Sequence, residues 1–387
     1  MTSALEAEGT FIEGAFRSIL TIMNNSDNSY QLSLLVTERC NLCCSYCYCD
    51  KRRTASMTLE TAQKAIDEVL TTYPDRPLRL LLMGGEPFIE FGLIKGIVEY
   101  IRQRYHGRDV FVKTVTNGTL VHGEVQQWLA DNLDLFHASL SLDGSRETHN
   151  RNRCGSYDSI DIDFFLRTYG VNAEVSMVAC PDNMNHLADD VITLQEQGFR
   201  VKCVLADDCH WDPRHEPKRW ASQLSHLVDY YLTNPEQMPF NQLLESVNII
   251  GSGAVAEKCR PGCNTHCIGV DGRLYGCHRC TPYYNNGIWR LDDESIVDSG
   301  MLHNGCAQCP AQPVCCSCPA LVASVQGNIE LREAICALFK VTHLANAVLL
   351  ARMFTECPNH IRLRNLDDNI KHSLIAGAQC IIQNLQL

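Results

Sequence analysis

The sequence predicts an α/β protein: a parallel sheet built from six strand–helix units, followed by a smaller cysteine-rich domain. Three observations carry this. Between Gln31 and about Tyr231, short apolar runs alternate with amphipathic stretches six times over. Strands followed by helices in that order make a parallel sheet with right-handed crossovers. Beyond Pro235, Pro239 and the Gly251-Ser252-Gly253 hinge, cysteine density rises sharply, which marks a domain boundary.

In segment 1–30, Ile12, Phe16, Ile19, Leu20 and Met23 recur at helical spacing, so a short amphipathic helix covers one end of the core. The segment is too short for a separate leader-binding domain. Apolar runs at 31–36, 78–83, 109–115, 135–142, 171–178 and 200–206 read as strands. The stretches 58–71, 91–105, 122–131, 157–168, 186–197 and 216–232 read as helices, with Thr58 as N-cap of the first. The organisation that follows is a helical segment 1–30, a sheet domain 31–235, a cysteine-rich domain 236–345 and terminal helices 346–387. Leu338, Val341, Leu344, Val348 and Leu349 recur at helical spacing in the last part, as do Leu374, Ile375, Ile381, Ile382 and Leu385. Cys357 and Cys380 lie there as spectators.

A chain of 387 residues with 45% hydrophobic content and a net charge of −12 suits a soluble protein of two domains, or of one large domain with an appendage. No run of 18 or more apolar residues is present, and Glu6, Glu8 and Glu13 spoil a secretory signal, so the expectation is cytoplasmic, with no membrane association. In a reducing compartment, 22 cysteines are there to hold metal rather than to form disulfides. The acidic balance argues against nucleic acid and leaves basic peptides or small molecules as partners.

In open α/β folds chemistry gathers at the C-terminal ends of the strands. The first strand ends in RCNLCCSYCYCD, where Cys40, Cys44 and Cys47 have the spacing C-x3-C-x2-C. One loop can fold around a single metal centre and offer it three thiolates. An iron–sulfur cube takes four cysteines, so a cube held by three keeps one iron free for a substrate. The alternative is a zinc knuckle made by Cys40, Cys43, Cys44 and Cys47. The second strand runs directly into Gly84-Gly85-Glu86-Pro87, where a Gly-Gly turn lets backbone carbonyls approach a ligand and Glu86 is an acceptor suited to an ammonium group. The third ends in Thr116-Asn117-Gly118, and the fourth in Ser141-Leu142-Asp143-Gly144, followed by a polar run to Arg153. The sixth puts Leu205 at the rim, and Asp207 to Asp212 follow as a polar cluster that is either a substrate contact or a solvated loop.

C-N-L-C-C-S-Y-C resembles the signature of the radical S-adenosylmethionine (radical SAM) enzymes, with Tyr46 in the aromatic position before the last ligand. The resemblance implies an incomplete (β/α)6 TIM-like barrel. It implies a cube on Cys40, Cys44 and Cys47 whose free iron chelates SAM, which one electron then splits to a 5'-deoxyadenosyl radical. Gly84, Gly85, Glu86 and Pro87 resemble the family's GGEP segment, which holds the amino group of SAM, and Asn117 stands on the same rim. Ser141 and Arg153 hold the places of family residues that contact the ribose and the carboxylate, a guanidinium being able to pair bidentately with the latter. Leu205 holds the place where the family packs adenine.

Between Cys259 and Cys336 lie eleven cysteines. Cys259, Gly272 and Cys277 follow C-x12-G-x4-C, Cys306, Cys309 and Cys315 follow C-x2-C-x5-C, Cys318 comes one position early, and Cys336 follows it. The pattern resembles the SPASM domain and implies two further [4Fe-4S] clusters, three in all. Cys259, Cys277 and Cys318 would serve the first, with Cys263 or Cys267 as fourth ligand; Cys306, Cys309, Cys315 and Cys336 would serve the second. Extra cysteines at 263, 267, 280 and 316 leave the ligand choice open, and a treble-clef or ribbon zinc module is the alternative. Full ligation would make these clusters electron carriers or structural pins.

Family members of this set crosslink ribosomally made peptides through thioether or carbon–carbon bonds, or oxidise sulfatase Cys or Ser to formylglycine. A flavodoxin or ferredoxin would supply the electron. Sulfatase maturases usually carry an aspartate base after the cysteine matched by Cys277, where this chain has His278. The expectation is therefore a peptide-crosslinking oxidoreductase with His278 as candidate base. Formylglycine formation, dehydrogenation of a small molecule and a non-catalytic zinc adaptor are the other readings.

Overall fold

The computed structural model describes residues 29–206, 209–244, 247–253, 265–284, 304–315, 318, 321, 325 and 328–385. The helix expected in segment 1–30 lies outside these residues, as do Asp207 and Asp208. Six parallel strands come first: β1 (Tyr30–Thr37), β2 (Leu78–Gly84), β3 (Val110–Thr116), β4 (Phe136–Ser141), β5 (Glu174–Ala179) and β6 (Arg200–Leu205). The expected α/β architecture and its six units are present. Helices Leu59–Thr72, Phe91–Arg104, Glu124–Asp131, Ile162–Tyr169, Leu187–Glu196 and Glu216–Thr233 follow the strands in turn.

Strand alternation explains the layering. Leu34, Val36, Leu80, Leu82, Val112, Ala138, Leu140, Val175 and Met177 turn one face of the sheet into the core, all at most 1% exposed. Ile66, Ile94, Ile97 and Leu129 of the covering helices meet them in the same hydrophobic cluster. The other face is mixed, with buried Leu35 near β7 and polar groups on β3 to β5. Lys113 of β3 reaches across β4 to Glu174 of β5 (2.7 Å), and Ser139 of β4 donates to the same carboxylate oxygen (2.8 Å).

Two features of the cysteine-rich part depart from a separate appended domain. Thr265–Ile268 forms β7, which pairs parallel with β1 on the side away from β2, in the register Gln31↔Thr265 to Leu34↔Ile268. Leu274–Tyr275 forms β8, antiparallel to β7, and the sheet runs β6-β5-β4-β3-β2-β1-β7-β8. Tyr30 locks the junction, its hydroxyl 2.8 Å from His266 Nδ1 with the two rings stacked.

The boundary expected between 345 and 346 falls inside one continuous helix, Ile329–Glu356. That helix packs along Glu216–Thr233, where buried Trp220 donates its indole N–H to Thr342 (2.8 Å) and Arg352 pairs with Asp229 (2.6 Å). By length and composition alone it could cross a membrane, but 56% of its apolar window is buried inside the protein, as in a core helix. The expected hinge is also a packing contact. Gly251 sits in helix Asn248–Ser252, where a Cβ would come 2.0 Å from Ser373 O, and a Cβ on Gly377 would come 2.0 Å from Val247 O. Paired glycines let this short helix press backbone to backbone on helix Asp368–Asn384.

Candidate functional site

The loop after β1 is fastened at the ends of β2, β3 and β4. Gly85 N–H donates to Thr37 O (3.0 Å) and Glu86 N–H to Arg39 O (2.8 Å), so β2 grips the root of the loop. A Cβ on Gly84 would lie 2.1 Å from Thr37 O, and one on Gly85 2.2 Å from Arg39 O. These glycines are therefore required by the protein's own backbone, independently of any ligand at the rim.

Glu86 is likewise engaged by the protein itself. Its carboxylate is buried and accepts from Phe88 N–H (3.1 Å), the Thr116 hydroxyl (2.8 Å) and Asn117 N–H (2.7 Å), so it clamps β2 to β3. Burial raises its pKa to about 6 against those bonds. Pro87 is buried and opens the turn Pro87–Glu90, which Glu86 caps. Asn117 donates to the Asn41 side chain beside Cys40 (2.9 Å), and Asn41 donates to Thr119 (2.7 Å), so β3 also holds the loop.

From β4 the anchor is Asp143. Its carboxylate takes Arg153 through two bonds (3.0 and 3.1 Å), Asn152 (3.3 Å), Val178 N–H (3.2 Å) and the Tyr46 hydroxyl. The guanidinium lies 5.4 Å from the Tyr46 ring centroid, a cation–π distance. Arg153, expected to meet a ligand carboxylate, pairs here with Asp143, and Tyr46 is the loop's own attachment to that pair. The helix Arg146–Asn152, capped by Ser145, carries this corner, and Asn152 O accepts from Ser45 N–H (2.9 Å). Ser141 is buried at the end of β4, in register with Ser176 of β5. Leu205 is half-buried at the end of β6, paired with Ala179, with no role beyond packing evident in its contacts.

The three thiols feel one another's charge. Burial raises the pKa of Cys40, and that of Cys44 to about 11 with Arg153 opposing. Cys47 is drawn down to about 5, chiefly by a hydrogen bond from Cys49, with Lys51 adding to it. Cations beside buried thiols favour the thiolate, the form that binds iron, so the donor set fits an iron–sulfur cube. Among the described residues no three Cys, His, Asp or Glu side chains close around a single metal ion. Ligands of one zinc must converge within a few ångströms, whereas thiolates on separate corners of a cube need not. Cys43, a member of the zinc-knuckle alternative, turns away to Cys154, their sulfurs 2.6 Å apart. A cleft of about 510 Å³ opens beside Cys40, lined by Glu38, Arg39, Asn41, Lys51 and Ile89 among others.

In the second cysteine field, Cys277 and Cys280 are buried with their sulfurs 3.5 Å apart, and Cys318 packs against both. Cys267 is fully buried in β7, close enough to Cys277 to raise its own pKa further. Cys306, Cys309 and Cys336 form another group, the first two adding to the burial that raises Cys336. Cys315 lies among the described residues near Cys309, while Cys259, Cys263 and Cys316 lie outside them. By their contacts the described thiols of this field group as Cys277, Cys280 and Cys318 on the one hand and Cys306, Cys309 and Cys336 on the other.

Cys280 gains most from the structure. Its C-x2-C spacing to Cys277 was the available signal. His278 is half-buried, edge-on to Tyr284 (5.4 Å between rings), and Tyr284 bridges to Cys49 of the first loop. Burial and Arg279 push its imidazole down to about 4, which keeps it neutral and weakly basic at pH 7. In the expected mouth cluster, Trp211 is buried and donates to Ala206 O (2.9 Å), so this residue plugs the fold instead of facing a substrate. Sequence reasoning missed Asn41 and the anchoring role of Asp143, and it gave no part to Cys154.

Residues 34–169 match the radical SAM superfamily. The chain is 28% identical over 186 residues to an uncharacterised protein of Methanocaldococcus jannaschii, a match covering 47% of this chain and 63% of that one, less than two thirds of its length. It is 24% identical over 343 residues to a cysteine-type anaerobic sulfatase-maturating enzyme of Clostridium perfringens, covering 73% of this chain and 87% of that one. It is 24% identical over 358 residues to the antilisterial bacteriocin subtilosin biosynthesis protein AlbA of Bacillus subtilis, covering 85% and 76%. In fold it resembles anSMEcpe, solved with bound AdoMet and the Cp18Cys peptide, at a TM-score of 0.67 and 20% identity over 85% of this chain and 99% of that one. It also resembles Streptococcus suis SuiB bound to precursor peptide SuiA, at a TM-score of 0.54 and 14% identity over 77% and 73%.

Proposed function

We propose, on the premise that this chain belongs to the radical SAM superfamily and to its maturases, that it removes a hydrogen atom from a peptide side chain and modifies that side chain oxidatively. The favoured outcome is a thioether or carbon–carbon crosslink in a ribosomally made peptide. The observation that carries the reading is the thiol loop Cys40–Cys44–Cys47, tied to three neighbouring strand ends through Gly85, Asn117 and Asp143. Bound there, a cube and SAM supply a 5'-deoxyadenosyl radical able to take hydrogen from an unactivated carbon.

The chain's own residues then have definite tasks. Cys40, Cys44 and Cys47 hold the cube, with Lys51 and Arg153 favouring their thiolates. Gly84 to Pro87, Asn117 and Ser141 line the rim on which SAM would lie, with Tyr46 and Arg153 fixing the loop and Leu205 further along it. Cys277, Cys280 and Cys318, with a ligand from Cys259, Cys263 or Cys267, would hold one auxiliary cluster. Cys306, Cys309, Cys315 and Cys336 would hold the other. Such clusters would accept the electron released when the substrate radical closes on its partner, and a flavodoxin or ferredoxin would supply the first electron.

Kinship to AlbA and likeness to SuiB favour a precursor peptide as substrate. Kinship to the Clostridium perfringens enzyme keeps formylglycine formation as the second reading. His278, a weak base in the position after Cys277, weighs against it. The test is anaerobic incubation of the iron-loaded chain with SAM, a reductant and a cysteine-containing peptide. Substrate should accelerate 5'-deoxyadenosine release, and the peptide should lose two hydrogens. Exchange of its sulfur for a carbonyl oxygen would establish the second reading. A colourless zinc protein that leaves SAM intact would overturn both.

A further inference from the structure

Cys43 and Cys154 form a thiol pair for which the proposed function has no use. They are 111 positions apart in the sequence, yet their sulfurs lie 2.6 Å from each other, and both side chains are exposed to dissolved reagents. Cys43 N–H also donates to Cys154 Sγ (3.2 Å). Two residues on, Ser45 N–H donates to Asn152 O (2.9 Å), so segments 43–45 and 152–154 are docked on each other without any covalent bond.

The separation of the sulfurs distinguishes two uses of such a pair. Two thiolates on one tetrahedral zinc, each about 2.3 Å from it, stand about 3.8 Å apart. Cys277 and Cys280, at 3.5 Å, are near that spacing, whereas Cys43 and Cys154 are well inside it. A disulfide bond is about 2.05 Å long, so this pair has only about half an ångström left to close. The backbone points the same way. Among the described residues Cys154 is the one non-glycine residue with a left-handed φ, 57°. Glycine or asparagine would take that conformation at lower cost, and a cysteine there keeps a thiol against Cys43 in spite of it.

We infer that Cys43 and Cys154 are the site of a reversible disulfide that pins the cysteine loop to the corner carrying Asp143 and Arg153. The oxidant is a low-molecular-weight disulfide of the oxidised-glutathione class. The thiolate of one cysteine attacks it, releasing one glutathione and leaving a mixed disulfide, and the second cysteine then displaces the other glutathione. Two protein thiols are oxidised, one small disulfide is reduced to two thiols, and the two protons pass to the glutathione released. The bond would close between Cys40 and Cys44 in the loop and directly after Arg153, and it uses none of the three thiols proposed to hold the cube. It would therefore keep the loop docked when no cube is in place. Bond formation stands on the geometry alone; its bearing on the cube rests on the function proposed above.

The test takes the full-length chain, prepared without iron, through mixtures of reduced and oxidised glutathione, then alkylates the remaining thiols and maps the peptides by mass spectrometry. The first disulfide to form should join Cys43 to Cys154, and dithiothreitol should reverse it. In the linked chain, amide hydrogen exchange over residues 40–47 should be about tenfold slower than in the reduced one, since local opening of the loop is suppressed. Cys43→Ser and Cys154→Gly should each lose both the link and the slowing; the glycine also relieves the left-handed backbone, so that variant keeps the fold. If Cys43 and Cys154 are both alkylated while other cysteines have paired, the inference is overturned, and so it is if the link forms and exchange is unchanged. Either result leaves the proposed function standing. A chain that forms the link but holds no SAM-responsive cluster after loading with iron and sulfide, reduced or oxidised, overturns the proposed function and leaves the disulfide standing.

Discussion

Asp143 holds Arg153 by two parallel bonds of 3.0 and 3.1 Å, with both side chains at most 8% exposed. The carboxylate is completely buried, and with Tyr46 against the pair it ties the cysteine loop to the end of β4. Breaking a buried pair from one side leaves an uncompensated charge and costs about 3–5 kcal/mol. Asp143→Asn should lower unfolding free energy by about that amount and reduce the iron held at the loop. Denaturant titration and iron analysis check this, and wild-type values for both would show that the loop is held by its other anchors.

Gly84 and Gly85 sit where any side chain would strike the backbone of β1 and of the loop that follows it. Gly85→Ala should give protein that fails to fold or loses its loop iron. Gly92, in the first turn of helix Phe91–Arg104, meets nothing within 4 Å. Gly92→Ala should be neutral or stabilising by about 0.5–1 kcal/mol, since alanine is the better helix former. Paired thermal melts of the two variants check the contrast.

The sulfur partners distinguish a cube from a zinc knuckle. Replacing Cys40, Cys44 and Cys47 together by alanine should abolish SAM cleavage and leave roughly two thirds of about twelve irons, if all three sites hold cubes. Cys43→Ser should keep the full complement, because its thiol faces Cys154. Cys280→Ser should lose iron, and so should Cys277→Ser. Iron and sulfide analysis of each variant decides, and loss of iron from Cys43→Ser would restore the knuckle.

Stability should fall steeply in acid, through two polar groups on β4 and β5. Burial, with help from Lys113 and Arg200, lowers the His137 pKa from 6.5 to about 4. The unfolded chain therefore binds the extra proton first, and stability drops as pH falls from 6.5 towards 4. Glu174, although burial works to raise it, is held by Lys113 and Lys202 at about 2 against an ordinary 4.5. Its contribution, present above pH 4.5, is lost as pH falls towards 2. Melting temperature against pH checks both. His137→Gln should flatten the upper part of the curve and Glu174→Gln the lower part.

The six-unit sheet and the place of the thiol loop at its first strand end were legible because their signals are local. Periodicity reports on adjacent residues, and C-x3-C-x2-C needs only one loop. What escaped was partnership across the fold. A guanidinium suits a ligand carboxylate and the Asp143 carboxylate equally well, and nothing near Arg153 in the sequence says which it meets. Gly84 and Gly85 stood out as glycines, but the atoms they clear belong to a strand and its following loop some forty-five residues earlier. The four residues of β7 are too few for an alternation to be seen, so the merging of the two cysteine fields into one sheet had no signal. Gly251 read as a hinge because glycine marks flexible joints and tight helix crossings alike.

The pairing of β7 with β1 also bears on how the protein is made. Tyr30 and His266 are 236 positions apart. At about 5–20 residues per second, roughly ten to fifty seconds pass after β1 leaves the ribosome before its second neighbour exists. For that interval one flank of a nascent strand that leads into five cysteines is uncovered, a template for the wrong partner. Slowing translation, or overproducing the chain without matching iron delivery, should therefore raise the insoluble fraction at this seam before any other.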